Sequence, residues 1–127
     1  MSEFSEADHP RVMEVIANAI ELEKENDVAF ATQILSDLVE QFPKVSIAHA
    51  YLGWIYSCGE RHREAIEHGR AAVQLSPKSE RESVLLFRVF WGAGESNLAF
   101  EEMKRFLAVG EPEEYLSIIQ ELTQLGL

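Results

Sequence analysis

The residues of this 127-residue chain best equipped for chemistry are four histidines and one cysteine. The run His62-Arg63-Glu64-Ala65-Ile66-Glu67-His68 has the composition of a helical zinc motif, with imidazole ligands and carboxylates available as bases. Two imidazoles chelate one ion from a helix only when they share a face. Six residues turn a helix by about 240°, so His62 and His68 point to different sides. Glu64 and His68, four apart, make at most a weak surface pair. His9 precedes Pro10 and reads as a helix start. Cys58 has no base beside it in sequence, so the thiol is read as a spectator rather than a nucleophile. A lone cysteine also excludes an internal disulfide framework and suits a reducing cytoplasm. No Gly-x-Gly-x-x-Gly, Walker-type Gly/Lys loop or Gly-x-Ser-x-Gly elbow occurs. The expectation is a non-enzyme with no metal and no cofactor.

The composition agrees with a folded, single-domain protein at residues 1–127. It is 46% apolar and 26% charged, which is neither disordered nor membrane-like. No stretch approaches the roughly 20 apolar residues of a membrane span. The N-terminus Met1-Ser2-Glu3-Phe4-Ser5-Glu6 is acidic and lacks an apolar run, so neither a secretory signal nor a transit peptide is expected, and the expected location is cytoplasmic. With 22 acids against 11 Lys and Arg, the net charge of -11 repels phosphate backbones and anionic lipid, so no nucleic-acid or membrane partner is expected. Residues 1–30 and the segment from Glu111 are acidic, whereas residues 61–79 are mildly basic. Solvation of helix faces accounts for most of this pattern.

The elements that carry these residues repeat. Ala31, Ala65 and Ala99 recur at one constant step, and Leu22, Tyr56 and Phe90 keep it, as do Leu38, Ala72 and Phe106. Pro43 and Pro77 share the step, and Pro112 falls one position beyond it. The units run 12–45, 46–79 and 80–113, after an N-terminal segment 1–11 and before a remainder 114–127. Within the middle unit, Ile47, Tyr51, Leu52, Ile55 and Tyr56 form a helical stripe. Gly59 is expected to end that helix in the left-handed conformation. A second helix over about Arg61 to Leu75 presents Ala65, Ile66, Ala72 and Val73, and Ser76-Pro77 stops it. Ser79 to Glu82 has capping-box spacing, and Ser96 is expected to cap the sixth helix. Asn26-Asp27 makes the first turn. No segment alternates with period two, so the fold class is all-α.

Leu52-Gly53-x-x-Tyr56, then Gly59, Ala65, Ala72 and Pro77, resembles the tetratricopeptide repeat (TPR) signature, and the match covers about four fifths of the chain. The resemblance implies three antiparallel helix pairs in a right-handed superhelix with a concave groove. Small residues such as Gly53 and Ala65 suit a close approach of helix backbones, and single pairs need neighbours to bury their apolar faces. The segment from Pro112 reads as a seventh, capping helix with proline in its first turn, and its apolar stripe is Tyr115, Leu116, Ile118, Ile119 and Leu122. His49, Phe87 and Gly69 depart from the family pattern.

The resemblance also implies where a partner sits. Its groove-facing slots fall on Met13, Ile16 and Ile20, then Ile47, Ala50 and Trp54, then Arg81, Val84, Arg88 and Trp91. The carboxylate-clamp slots read Ile16, Ile20, Tyr51, Arg81 and Leu85, so that clamp is absent except for Arg81. The expected function is an adaptor or chaperone-like module holding a peptide or helix of another protein. The alternatives are a self-assembling subunit, for instance a homodimer, whose groove takes its own kind, and a small chaperone of the type III secretion sort.

Overall fold

The computed structural model describes residues 9–126, and these form seven helices with no strand. In order they are α1 (His9–Lys24), α2 (Val28–Gln41), α3 (Ser46–Cys58), α4 (His62–Leu75), α5 (Glu80–Gly92), α6 (Ser96–Leu107) and α7 (Glu114–Gln124). Consecutive helices pair as α1–α2, α3–α4 and α5–α6, and α3 lies between α1 and α5. Of the N-terminal segment 1–11, only residues 9–11 lie within the described residues, and all three already belong to α1.

One turn geometry closes all three hairpins, recurring at the repeat step. Asn26, Glu60 and Gly94 carry positive φ, at 66°, 61° and 79°. The next residue in each turn donates its N–H back across the turn, from Asp27 to Leu22 O, Arg61 to Tyr56 O and Glu95 to Phe90 O. These bonds satisfy carbonyls that the ending helix leaves unpaired. The middle turn corrects an expectation: Gly59 sits at φ -89°, and the left-handed residue is Glu60. The glycine is one position too early for the bond pattern. Two further corrections concern helix starts. Glu95, not Ser96, is the residue flanking α6, and Pro112 precedes α7 rather than lying in its first turn. Asp27 does cap α2, its carboxylate accepting from Phe30 N at 3.2 Å.

Two of the repeated columns are core throughout, whereas Leu22 and Tyr56 of a third are half-buried. Ala31, Ala65 and Ala99 are fully buried, and Leu38, Ala72 and Phe106 are nearly so. At Gly53 an added Cβ would lie 2.8 Å from Ala65 O and 3.1 Å from Gly69 N. The middle hairpin is therefore held at backbone contact. Gly69 has its own reason: a Cβ there would meet Leu86 Cδ1 at 2.7 Å, so its bareness admits α5. In the third hairpin the slot of Gly53 holds Phe87, which packs edge-on to Phe100 and Tyr115 instead.

Helix α5 is the most enclosed element, with eight residues from Glu82 to Phe90 buried. Its polar members are satisfied. Glu82 accepts from Ser46 Oγ at 2.6 Å and from Ser79 Oγ at 2.7 Å, so the Ser79–Glu82 pair bonds side chain to side chain and not as a backbone cap. Helix α7 lies on α5, burying Tyr115 and Ile118, while Leu116 points to solvent and leaves the expected stripe. Its start is fastened by Glu80, whose Oε2 accepts from Glu113 N at 2.8 Å and Tyr115 N at 3.0 Å.

Candidate functional site

Helices α1, α3 and α5 contribute the columns expected to line a groove, and solvent reaches only some of them. Met13 and Arg81 are exposed and Ile47 half-buried, as are Ile20 and Trp54 in the column that ends at exposed Arg88. The third column, Ile16, Ala50 and Val84, is only 1% exposed throughout. These three are core residues and not groove residues. The reason is angular: residues 13 and 20 differ by about 20° around a helix, whereas 16 lies about 60° from 13. That rotation turns Ile16 into a cluster with Leu35 of α2 and Leu52 of α3, and Ala50 into one with Ala72 and Leu85.

The open part is a cavity of about 460 Å³ between the C-terminal halves of α3, α5 and α7. Its apolar walls are chiefly Trp54, Phe87, Trp91, Ile118 and Leu122, with Arg88 and Glu121 supplying opposite charges. Both expected tryptophans line this one space from adjacent helices. Trp91 is 40% exposed and is braced by Phe87, stacked at 5.9 Å, and by Phe100, edge-on at 5.6 Å. By the repeat step the counterpart of Trp54 is Arg88, one turn before Trp91.

Arg81 is engaged elsewhere. Its guanidinium donates to Tyr51 OH at 3.0 Å and pairs with Glu114 Oε1 at 3.0 Å, and the Tyr51 hydrogen bond chiefly raises its affinity for the proton. It therefore ties α3 to the start of α7 rather than waiting for a ligand. Arg88 makes no ion pair among the described residues. The contribution of α7 to the cavity, through Ile118, Glu121, Leu122 and Leu125, was not among the expected site residues. The apolar stripe of that helix was visible in sequence, but not that it forms a wall.

Cys58 borders the same cavity. The residue is exposed at its surface, yet partial burial of the sulfur among its neighbours and the nearby Glu23 carboxylate push its thiol up to about 11, the opposite of what a nucleophile needs. His62 and His68 do not meet. His62 Nδ1 is buried without a hydrogen-bond partner among the described residues, whereas His68 Nδ1 lies 3.2 Å from His49 Nδ1 of α3. Among the described residues no group of three or more His, Cys, Asp or Glu side chains is arranged to hold a metal ion. A second buried network links α5, α6 and α7: Tyr115 OH donates to Ser83 Oγ, which donates to Glu102, each at 2.7 Å. Arg105 forks onto Glu102 and reaches Pro77 O at 2.9 Å. Burial pushes the Tyr115 phenol far above its ordinary range, so this network is a neutral-phenol anchor for α7. No described helix is long and apolar enough to cross a membrane.

No protein-family model matches the chain, and no curated protein matches its sequence.

Proposed function

We propose that this chain is a non-catalytic, TPR-like interaction module, acting in the cytoplasm, that grips an apolar-anchored segment of a partner protein. One observation supports the reading above the others. It is the 460 Å³ cavity walled by Trp54, Phe87 and Trp91, with Arg88 at its edge and in no ion pair among the described residues. A space of that size holds a small number of large apolar side chains, and tryptophan and arginine are the side chains over-represented among binding hot spots. Net charge -11 would repel a strongly acidic partner, so the segment carries apolar anchors and about one acid, placed to meet Arg88.

Selection from a displayed library of helical and extended peptides tests this. Binders should carry one or two large apolar residues with an acid nearby. Trp54→Ala and Trp91→Ala should each weaken such binders by about 2 kcal/mol or more, with the helical circular-dichroism signal kept. Arg88→Glu should shift the selected sequences from acidic to basic. Binders indifferent to all three substitutions would overturn the reading.

Self-assembly is a second reading, supported by apolar side chains left open on and just after α7, Leu125 at the cavity with 75% and Leu116 elsewhere on the helix with 57% exposure. Light scattering over a hundredfold concentration range separates the two, because a constant monomer mass excludes a groove filled by a second copy.

A further inference from the structure

We propose that His49 and His68 form a proton-operated clasp that holds the α2–α3 loop, α3 and α4 together near neutral pH and opens in mild acid. The assignment starts from hydrogen-bond chemistry. His49 Nε2 lies 2.8 Å from Pro43 O, and a carbonyl only accepts, so this nitrogen carries a proton. In the neutral ring His49 Nδ1 is then a lone pair. The nitrogen 3.2 Å away, His68 Nδ1, must be the donor, which makes His68 the Nδ1–H tautomer with a bare Nε2. The ring centres stand 5.4 Å apart with planes 25° from parallel. The rings thus meet edge to edge, with Nδ1 facing Nδ1. This is the geometry of an N–H···N bond, not of two ligands converging on a metal.

Proton counting then dictates two steps. The first added proton goes to His68 Nε2 and leaves both bonds intact. The second must go to His49 Nδ1, where it faces the N–H of an already charged ring. Two donors and two like charges at that distance have to separate. The surroundings do little to prevent it. Glu67 and Glu64 of α4 lie near His68 in sequence, but Arg63 and Arg61 are already bound to them. Tyr56 of α3 stacks on His68, and the Arg61 guanidinium sits 4.7 Å over the Tyr56 ring. Lys44 follows Pro43 in the loop. The charged groups that act on His68 are His49 of α3 and Glu67 of α4. Burial and His49 together outweigh Glu67 and hold His68 below its ordinary value of 6.5. The His49 Nε2–H still donates to Pro43 O after the second proton is added, so the α2–α3 loop stays tied to α3 and the contact that opens is the one between α3 and α4.

The slots themselves supply the control. By the repeat step His49 and His68 correspond to Val15 and Ile34, which belong to one apolar cluster in the first hairpin. The double variant His49→Val, His68→Ile therefore keeps a pair the fold already accepts. Nitrogen-detected imidazole spectra of the wild-type chain at pH 7.5 should show a protonated Nε2 on His49 and a protonated Nδ1 on His68. Between pH 7.5 and 5.0 the wild-type melting temperature should fall at least about 3 °C more than that of the double variant, since His9 and His62 are common to both. The Nε2–H tautomer on His68, or equal pH dependence in the two folded chains, would overturn the proposal. The tautomers are read on the wild-type chain, so the test stands even if the variant folds poorly.

Discussion

His49 and His68 lie at 3.2 Å in the pair of slots where the third hairpin places Ser83 and Glu102 at 2.7 Å. The first hairpin fills the same slots with Val15 and Ile34. One pair of slots on the two helices of a hairpin is thus filled three ways, by two aliphatic side chains of a common apolar cluster, by an imidazole pair and by a hydroxyl–carboxylate bond. A buried polar side chain is tolerated only with a partner. The identities at these two positions must therefore change together, although they sit on different helices.

Gly53→Ala should destabilise the protein. On an open helix this change would stabilise by up to about 1 kcal/mol through backbone entropy. Here the new methyl meets the Ala65 carbonyl at 2.8 Å, and a backbone atom cannot swing aside. A net loss of about 1–3 kcal/mol, the usual cost of overpacking, should appear in urea denaturation.

Helix α7 should be required for stability. Tyr115→Ala removes a fully buried ring and should cost about 3–5 kcal/mol, whereas Tyr115→Phe removes only the hydroxyl given to Ser83 and should cost about 1 kcal/mol. Ending the chain after Gly110 should lower the melting temperature and promote aggregation, because Phe87, Phe106 and the cavity floor lose their cover. A truncated chain of equal stability would contradict the packing.

Acid should release the start of α7. Burial opposes the charge on Glu80, but the N–H groups of Tyr115, Glu113 and Glu114 outweigh it and hold its carboxyl below the ordinary 4.5. The unfolded chain therefore binds this proton first, and the stabilisation is present above about pH 4.5 and lost as the pH falls further. The protection factors of the α7 amides, taken against intrinsic exchange at each pH, should fall below that pH in the wild type. Glu80→Gln should exchange faster at neutral pH and show less of the acid step.

Cys58 should alkylate slowly at neutral pH. With the thiol pushed up to about 11, the reactive thiolate is scarce at pH 7. The rate with iodoacetamide should climb steadily from pH 7 to 10, and Glu23→Gln should raise it at every pH in that range by removing the neighbouring negative charge.

Much of the architecture could be read from spacing. A constant repeat step, joined to helical periodicity, sets helix number, pairing and the buried columns at Ala31, Ala65 and Ala99. Gly53 and Ala65 marked the close approach because absence of bulk is itself a property of the residue. Composition misplaces the left-handed turn position by one, since Gly59 is conformationally free but the bond from Arg61 to Tyr56 O requires the twist at Glu60.

The candidate site was legible only in outline. Periodicity defines a helix face to within a few tens of degrees, and the groove columns differ by no more than that. Which of them meets solvent depends on the neighbouring helices, so Ile16, Ala50 and Val84 went into the core while Trp54 and Trp91 reached one cavity. Pairings between distant residues lie wholly beyond such patterns. Glu114 captures Arg81, Glu80 fastens α7 and His49 meets His68 because side-chain reach across packed helices is a matter of a few ångströms in three dimensions. One-dimensional spacing carries the repeat, since every unit must bury the same face. Tertiary packing alone decides the charge pairings and the cavity, since each arises where side chains of different helices meet.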